Sequence, residues 1–380
     1  MKNHHIQTDL VQIGNRSENT TGAVNPPIYL STAYRHDGLG LSTGYDYTRT
    51  KNPTRALLEE NVARLEQGDQ GFACSSGMAA VQLVLSLFKT GDELIASTDL
   101  YGGTFRLFAN YSELYKVKPH YVNCNETSEI EKVINENTKA IFIETPTNPL
   151  MQEIDIEKVS KVARKYGLLL IVDNTFLTPF LQKPIGLGAD IVIHSATKYI
   201  GGHNDVLAGL VIAKGAELCE RLATNHNSIG AVLSPFDSWL LIRGLKTLGL
   251  RMERHQQNAS DIVNYFKERP EVRDVLYPGK GGMVSFRVQK EEWVALLLRN
   301  LKLISFAESL GGVESFITYP ATQTHADIPE EIRFKNGIDN CLLRFSVGVE
   351  YIDDLKADLD EAFTKIAEEE KGHDRANVLI

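Results

Sequence analysis

The chain has 380 residues, 43% of them hydrophobic and 23% charged, and a formal net charge of −9. That length is more than one hydrophobic core usually organises, so two domains are expected, with the composition of an ordinary globular protein. The acidic balance argues against a nucleic-acid partner, which wants a basic face, and the apolar runs are far too short to cross a bilayer.

Residues 1 to 50 read as an irregular arm, rich in Asn, Thr, Gly and Tyr and broken by Pro26-Pro27. Its first ten residues are polar and contain Asp9, so no secretory leader is expected. Asn52-Pro53 then opens a helix: an Asn cap, a Pro in the first turn, and Leu58, Val62 and Leu65 on one face, with Gly68 closing it. Short apolar runs at 94–96, 139–143, 168–172, 191–194 and 207–212 read as strands, alternating with amphipathic stretches such as 156–166. The Leu-Leu-Leu-Ile-Val run has no polar alternation, as expected of a strand buried on both faces of a mostly parallel sheet. One long helix is expected over 236–266, with a domain boundary near residue 250. Strands at 272–276, 283–288 and 342–347 and a helix at 352–366 follow, and the charged tail after Glu368 reads as frayed. Cys74, Cys124, Cys219 and Cys341 are too scattered for a zinc site or a disulfide framework, which suits a reducing cytoplasm.

Three segments carry candidate chemistry. In Cys74-Ser75-Ser76-Gly77-Met78-Ala79-Ala80 a strand gives way to a helix, aiming backbone N–H groups at whatever lies above it. That junction suits a phosphate, and it equally suits a capped helix with no ligand. Asp173 directly follows a buried strand, at the sheet edge where α/β proteins place ligands. It reads as a metal ligand, a partner for a cation, or the cap of the next element. Lys198 leaves another buried strand with Ser195 and Thr197 just before it; a lysine forced to a sheet edge forms imines readily. Together the three supply an anion cradle, a carboxylate for a pyridine nitrogen and an imine-forming amine, in that order along the chain. Those are the requirements of pyridoxal 5′-phosphate (PLP).

The motifs Ser75-Ser76-Gly77-Met78-Ala79-Ala80, Asp99-Leu100-Tyr101-Gly102-Gly103-Thr104, Glu144-Thr145-Pro146-Thr147-Asn148-Pro149, Val172-Asp173-Asn174-Thr175 and His194-Ser195-Ala196-Thr197-Lys198-Tyr199 resemble those of the Cys/Met-metabolism PLP enzymes. The arm adds Tyr45-Asp46-Tyr47-Thr48-Arg49, and the C-terminal part adds Leu343-Arg344-Phe345-Ser346-Val347-Gly348. The similarity spans nearly the whole chain. The Tyr34-Arg35-His36 and 316–325 segments are most similar to the Bacillus-type branch of cystathionine γ-synthases and O-acetylhomoserine thiolyases. Tyr277-Pro278-Gly279 runs almost directly into Gly281-Gly282-Met283, a shorter connection than most relatives carry.

The resemblance implies an α/β chain of the PLP-dependent transferase fold type I, aspartate aminotransferase-like. It would have an arm (1–50), a large PLP-binding domain (51–250) and a smaller α/β C-terminal domain (251–380). It implies that Lys198 holds the cofactor as a Schiff base and that Asp173 pairs with the pyridinium nitrogen. Tyr101 would stack on the ring, a packing tyrosine being the other reading. Phosphate contacts would come from the Gly77 and Met78 amides and the Ser195 and Thr197 hydroxyls. Tyr47 and Arg49 would reach in from a neighbouring subunit, which makes a dimer obligatory and a tetramer, a dimer of dimers, usual. Asn148 would bond the cofactor's ring oxygen or simply build its Pro-rich turn. Arg344, assisted by Ser315, would take the substrate α-carboxylate by its planar two-pronged fit, a structural arginine being the alternative. His194 and His203 read as supporting or packing residues, and no metal is expected. The implied reaction is γ-replacement on an activated homoserine ester, acetyl or succinyl, by cysteine to give cystathionine or by sulfide to give homocysteine. The rival on the same scaffold is a lyase acting on cystathionine or methionine. A nicotinamide oxidoreductase fits poorly, because Gly38-Leu39-Gly40 with Gly44 follows no buried strand. A cofactor-free binding protein would have no use for Lys198, Asp173 and Arg344 together.

Overall fold

The computed structural model describes residues 4–326 and 328–377. It divides into two compact units, Met1–Thr145 with Ile154–Leu250, and Pro146–Glu153 with Arg251–Ile380.

The first unit is built on a seven-stranded sheet: β1 (Gln70–Cys74), β2 (Glu93–Ser97), β3 (Lys118–Val122), β4 (Thr138–Glu144), β5 (Leu169–Asp173), β6 (Ile191–Ser195) and β7 (Gly209–Ala213), in the spatial order β1-β7-β6-β5-β4-β2-β3. The strands from β6 through β3 run parallel, whereas β7 is antiparallel to both β1 and β6. Helices flank it: α1 (Ile6–Val11), α2 (Pro53–Glu66), α3 (Gly77–Leu85), α4 (Gly102–Tyr115), α5 (Thr127–Val133), α6 (Ile156–Tyr166), α7 (Thr178–Leu181), α8 (Ala216–Ile229) and α9 (Pro235–Lys246). One face of the sheet, through Phe142, Ile171, Ile193 and Val211, packs on Val81, Val84 and Leu85 of α3, Phe108 of α4 and Leu222 of α8. The strands therefore carry apolar residues on successive positions, as a sheet covered on both sides requires.

The second unit has a five-stranded sheet of β8 (Val272–Leu276), β9 (Met283–Val288), β10 (Ser305–Phe306), β11 (Phe316–Thr318) and β12 (Leu342–Ser346), in the order β10-β11-β12-β9-β8. Its core joins Phe286, Phe345 and Val284 of the sheet to Phe266, Leu297 and Phe363. These belong to α10 (Leu248–Lys267), α11 (Glu292–Asn300) and α13 (Ile352–Asn377); α12 (Glu330–Lys335) completes the helices. The Pro146–Glu153 segment joins this unit because Ser285 Oγ of β9 donates to the Pro149 carbonyl at 2.6 Å.

Four sequence expectations are corrected or refined. The arm is not wholly irregular, since α1 forms with the His5 ring accepting from the Gln7 amide at 3.4 Å. Gly68 closes the last turn of α2 with its N–H, which donates to the Ala63 carbonyl at 2.9 Å, but it is not the left-handed residue. Gln67 takes the left-handed conformation instead (φ 66°), its N–H reaching the Ala63 and Arg64 carbonyls. Gly68 serves a close approach, because a Cβ there would stand 2.3 Å from Ile212 Cγ2. The single helix expected over 236–266 is two, α9 and α10, interrupted at Thr247, whose N–H turns back to the Gly244 and Leu245 carbonyls. The last helix does not fray after Glu368 but runs to Asn377; residues 378–380 lie outside those described, as do residues 1–3 of the polar N-terminal stretch.

Candidate active site

In the first unit the chain closes α3 onto the end of β6. Ser76 caps α3, its hydroxyl accepting from the Ala79 amide at 3.0 Å. The amides of Gly77 and Met78 are thereby left as the outward donors of the first turn. Gly77 lies so near Ser195 that a Cβ would meet Ser195 Cβ at 2.8 Å and its Oγ at 2.9 Å, so only glycine lets the turn sit on the strand. Gly209 of β7 plays the same part beneath Ser76, whose carbonyl would stand 2.1 Å from an added Cβ.

Lys198 is half-buried in the turn that leaves β6, with its N–H bonded to the Ser195 carbonyl at 3.2 Å and its own carbonyl accepting from Gly202 at 2.8 Å. Thr197 pins this turn to the 208 segment: its hydroxyl donates to the Ala208 carbonyl at 3.2 Å and accepts from the Ala208 amide at 3.0 Å. The Thr197 hydroxyl thus holds this turn, and the Ser195 hydroxyl stands at Gly77.

Asp173 ends β5, next to the strand that leads to Lys198. Its Oδ1 accepts from the Thr175 amide at 3.0 Å and from the Thr175 hydroxyl at 2.6 Å, and the same hydroxyl oxygen accepts from the Ser195 amide at 2.8 Å. Burial drives the Asp173 carboxyl above its ordinary range, against the pull of the two Thr175 bonds and of nearby His194. A carboxylate in that position is favoured by a cation, which is what a protonated pyridine nitrogen offers.

Tyr101 precedes α4, its amide bonded to Glu144 Oε2 at 3.0 Å. Its ring covers Gly103, where a Cβ would meet Tyr101 Cε1 at 2.5 Å and Met78 Sδ at 3.1 Å. The ring therefore lies beside the start of α3. His194 is buried against Glu66, Nε2 to Oε1 at 2.7 Å, and Glu66 also accepts from Asn174 Nδ2 at 3.0 Å. The His203 ring donates to the Gly201 carbonyl at 2.9 Å. Among the described residues no group of three or more His, Cys, Asp or Glu is placed to hold a metal.

In the second unit Arg344 of β12 is 2% exposed. Its Nη1 donates to Asn148 Oδ1 at 2.8 Å, and its Nη2 donates to Thr318 Oγ1 at 3.1 Å and the Ser309 carbonyl at 3.2 Å. Asn148, expected at the cofactor ring, gives its side-chain oxygen to Arg344. Ser315, expected to assist Arg344, bonds instead to Glu350 Oε2 at 2.9 Å while accepting from the Gly348 amide at 2.8 Å. In the arm, Tyr47 is 44% exposed and Arg49 Nη1 lies on Asn227, 2.6 Å from its carbonyl and 2.9 Å from Oδ1.

Two supporting residues carried no assigned role in the sequence, Glu144 and Thr175. A signal for Glu144 was available: like Asp173, it is an acid that ends a buried strand, and the two are register partners across β4 and β5. Thr175 had none, because its bond to the Ser195 amide joins the turn after β5 to the end of β6, 20 residues further along the chain.

The Gly77 seat and the Asp173 carboxyl fit a phosphate-bearing pyridine. The family model described as Cys/Met metabolism PLP-dependent enzyme matches residues 7–364. The chain is 63% identical over 364 residues to the cystathionine gamma-synthase/O-acetylhomoserine (thiol)-lyase of Bacillus subtilis (strain 168), covering 96% of this chain and 98% of that one. It is also 63% identical over 362 residues to the cystathionine gamma-synthase of Haemophilus influenzae, covering 95% and 98%. The crystal structure of cystathionine gamma-lyase from Lactobacillus plantarum, complexed with L-serine, superposes with a TM-score of 0.93 at 43% identity, covering 96% of this chain and all of that one.

Proposed function

This chain belongs to the Cys/Met metabolism PLP-dependent enzyme family, and from that premise we infer how its own residues divide the work of the reaction. The reaction is γ-replacement of the cystathionine γ-synthase/O-acetylhomoserine thiolyase type, in methionine biosynthesis, with PLP as cofactor. When bound, PLP supplies an electron-poor ring that stabilises negative charge developing beside the substrate's amino group.

Lys198 carries the cofactor, and its amine then moves protons at the substrate's Cα and Cβ. Asp173, held by Thr175, keeps the ring nitrogen's positive charge in place. The Gly77 and Met78 amides with the Ser195 hydroxyl bind the phosphate, and Tyr101 covers the ring face. Thr197 fixes the Lys198 turn through Ala208. Arg344 takes the substrate α-carboxylate, its fork aimed by Asn148. Tyr47 and Arg49 serve the phosphate of a neighbouring subunit, in keeping with the exposure of Tyr47.

The electrophile is a homoserine ester, acetyl in our reading. Its Cγ–O bond breaks, releasing the carboxylate, and the cysteine thiolate forms the new Cγ–S bond of cystathionine. Sulfide in that role yields homocysteine. The observation that carries the cofactor site, on which this reaction rests, is Gly77 seated on Ser195, at the end of the strand that leads to Lys198.

Rates with O-acetylhomoserine and O-succinylhomoserine, each with cysteine and with sulfide, test it against cystathionine supplied alone. Fastest turnover of the acetyl ester with cysteine is expected; faster cleavage of cystathionine would make the enzyme a lyase. We also read it as a cytoplasmic homotetramer. No described helix is long and apolar enough to cross a membrane, and a monomeric mass by light scattering would remove the shared-arm reading.

A further inference from the structure

Arg55, in the first turn of α2, is 1% exposed, and the roles given above leave it unused. Its Nη1 donates to the Thr48 carbonyl at 2.9 Å and its Nη2 to the Arg49 carbonyl at 3.0 Å. Its Nε lies 3.3 Å from Glu59 Oε1, one turn further along the helix, and that oxygen accepts from the Ala73 amide of β1 at 2.9 Å. Asn52 braces the same turn: Oδ1 accepts from the Thr54 and Arg55 amides at 2.9 and 3.3 Å, and Nδ2 donates to the Tyr29 carbonyl at 2.8 Å.

A buried guanidinium is expensive to desolvate unless its charge is paired and its donors used. Here the charge is met by Glu59, and two donors go to backbone carbonyls of the arm stretch carrying Tyr47 and Arg49. That stretch has exposed side chains and little packing of its own, so an unclamped backbone there would sample many conformations. Glu59 fastens the clamp to β1, the strand leading into Ser76 and Gly77.

We propose that Arg55 is a positioning residue that acts across subunits: by holding the Thr48 and Arg49 carbonyls it presents Tyr47 and Arg49 to the cofactor phosphate of a neighbouring chain. This rests on the reading of the arm given above. Arg55 touches neither cofactor nor substrate, and it governs a site in another copy of the chain more than the one in its own.

Complementation between an impaired chain and an inactive one tests this. R55Q alone is expected to bind PLP at least tenfold more weakly, read by equilibrium dialysis and the visible cofactor band, with activity falling in step. Co-expressed with K198A, it should regain activity, because the R55Q chain keeps Lys198 and receives an intact arm from its K198A neighbour. Random pairing restores about a quarter of the sites. R49A with K198A is the control for the arm reading alone. If R49A complements and R55Q does not, the inference is overturned while that reading stands. If neither complements, the reading falls and the inference with it. Unchanged PLP affinity in the R55Q homo-oligomer also overturns it. R55K, which keeps a positive charge beside Glu59 but not the paired carbonyl contacts, carries the same comparison should R55Q fail to fold.

Discussion

Arg344 donates to the side-chain oxygen of Asn148 at 2.8 Å across 196 residues of chain. The bond, with those to Thr318 and Ser309, fixes the rotation of a buried guanidinium by neutral oxygens. A fork aimed in this way meets a carboxylate without first paying to be ordered.

Asn148→Ala should therefore act mainly on binding. Losing a bond to a charged group is worth about 1.5–3 kcal/mol, so KM for the amino-acid substrate is expected to rise at least tenfold while kcat changes less. Arg344→Lys, which removes the fork, should raise KM further. Steady-state kinetics of the pair check this, and an unchanged KM in Asn148→Ala removes its aiming role.

Lys198→Ala should abolish covalent attachment of the cofactor. Borohydride reduction followed by peptide mass mapping should place PLP on Lys198 in the wild-type protein and on no residue in the variant. Loss of a positioned proton-transfer group costs about 100- to 10,000-fold in rate; a variant retaining wild-type turnover would refute the assignment.

Thr175→Val removes the hydroxyl that donates to Asp173 and accepts from Ser195. Both Thr175 bonds lower the Asp173 carboxyl, so losing the side-chain one raises it further. The acid limb of the kcat profile should move to higher pH and PLP affinity should fall, whereas Thr175→Ser should restore both. An acid limb that stays in place in Thr175→Val counts against the link.

Glu59 is pushed up to about 7 by burial, with Arg55 pulling against it, from an ordinary value of 4.5. An acid whose value is higher folded than unfolded binds its proton more tightly in the folded state. Ionisation then erodes stability as pH rises between those two values, and the loss is constant above them. The Tm of wild type minus that of Glu59→Gln should fall from pH 5 to pH 7 and level off beyond; a difference independent of pH would show that Glu59 does not titrate there.

Thiol labelling follows burial. Cys74, Cys124 and Cys219 are buried and Cys341 is partly accessible. Burial raises the Cys124 thiol to about 12 and holds the Cys74 thiol well above its ordinary value. Native protein at pH 8 should react first at Cys341, slowly because burial raises that thiol as well, and elsewhere only after unfolding. Rapid modification of Cys74 would contradict the packing of β1.

Much of this protein was legible in its linear sequence because the signals are local. Unbroken apolar runs marked the buried strands, and a cap read from Asn52 is the cap observed, its side chain accepting from Thr54 and Arg55. Asp173 and Lys198 were conspicuous because a charged residue at, or just past, the end of an apolar strand must emerge at a sheet edge. The helix break at Thr247 was not legible, since the apolar spacing on either side is continuous. Nor was the purpose of Gly68, which is set by Ile212 of a strand far along the chain.

Residue types and their order thus determined the sheet, its chemistry and the amine at its edge, through periodicity and side-chain character that each segment carries alone. Tertiary structure alone decided who holds whom: Asn148 aiming Arg344, Thr175 tying Asp173 to β6, and Arg55 gripping the arm. The reason is physical. A hydrogen bond is fixed by position and angle to within a fraction of an ångström, and those coordinates exist only once distant segments have packed.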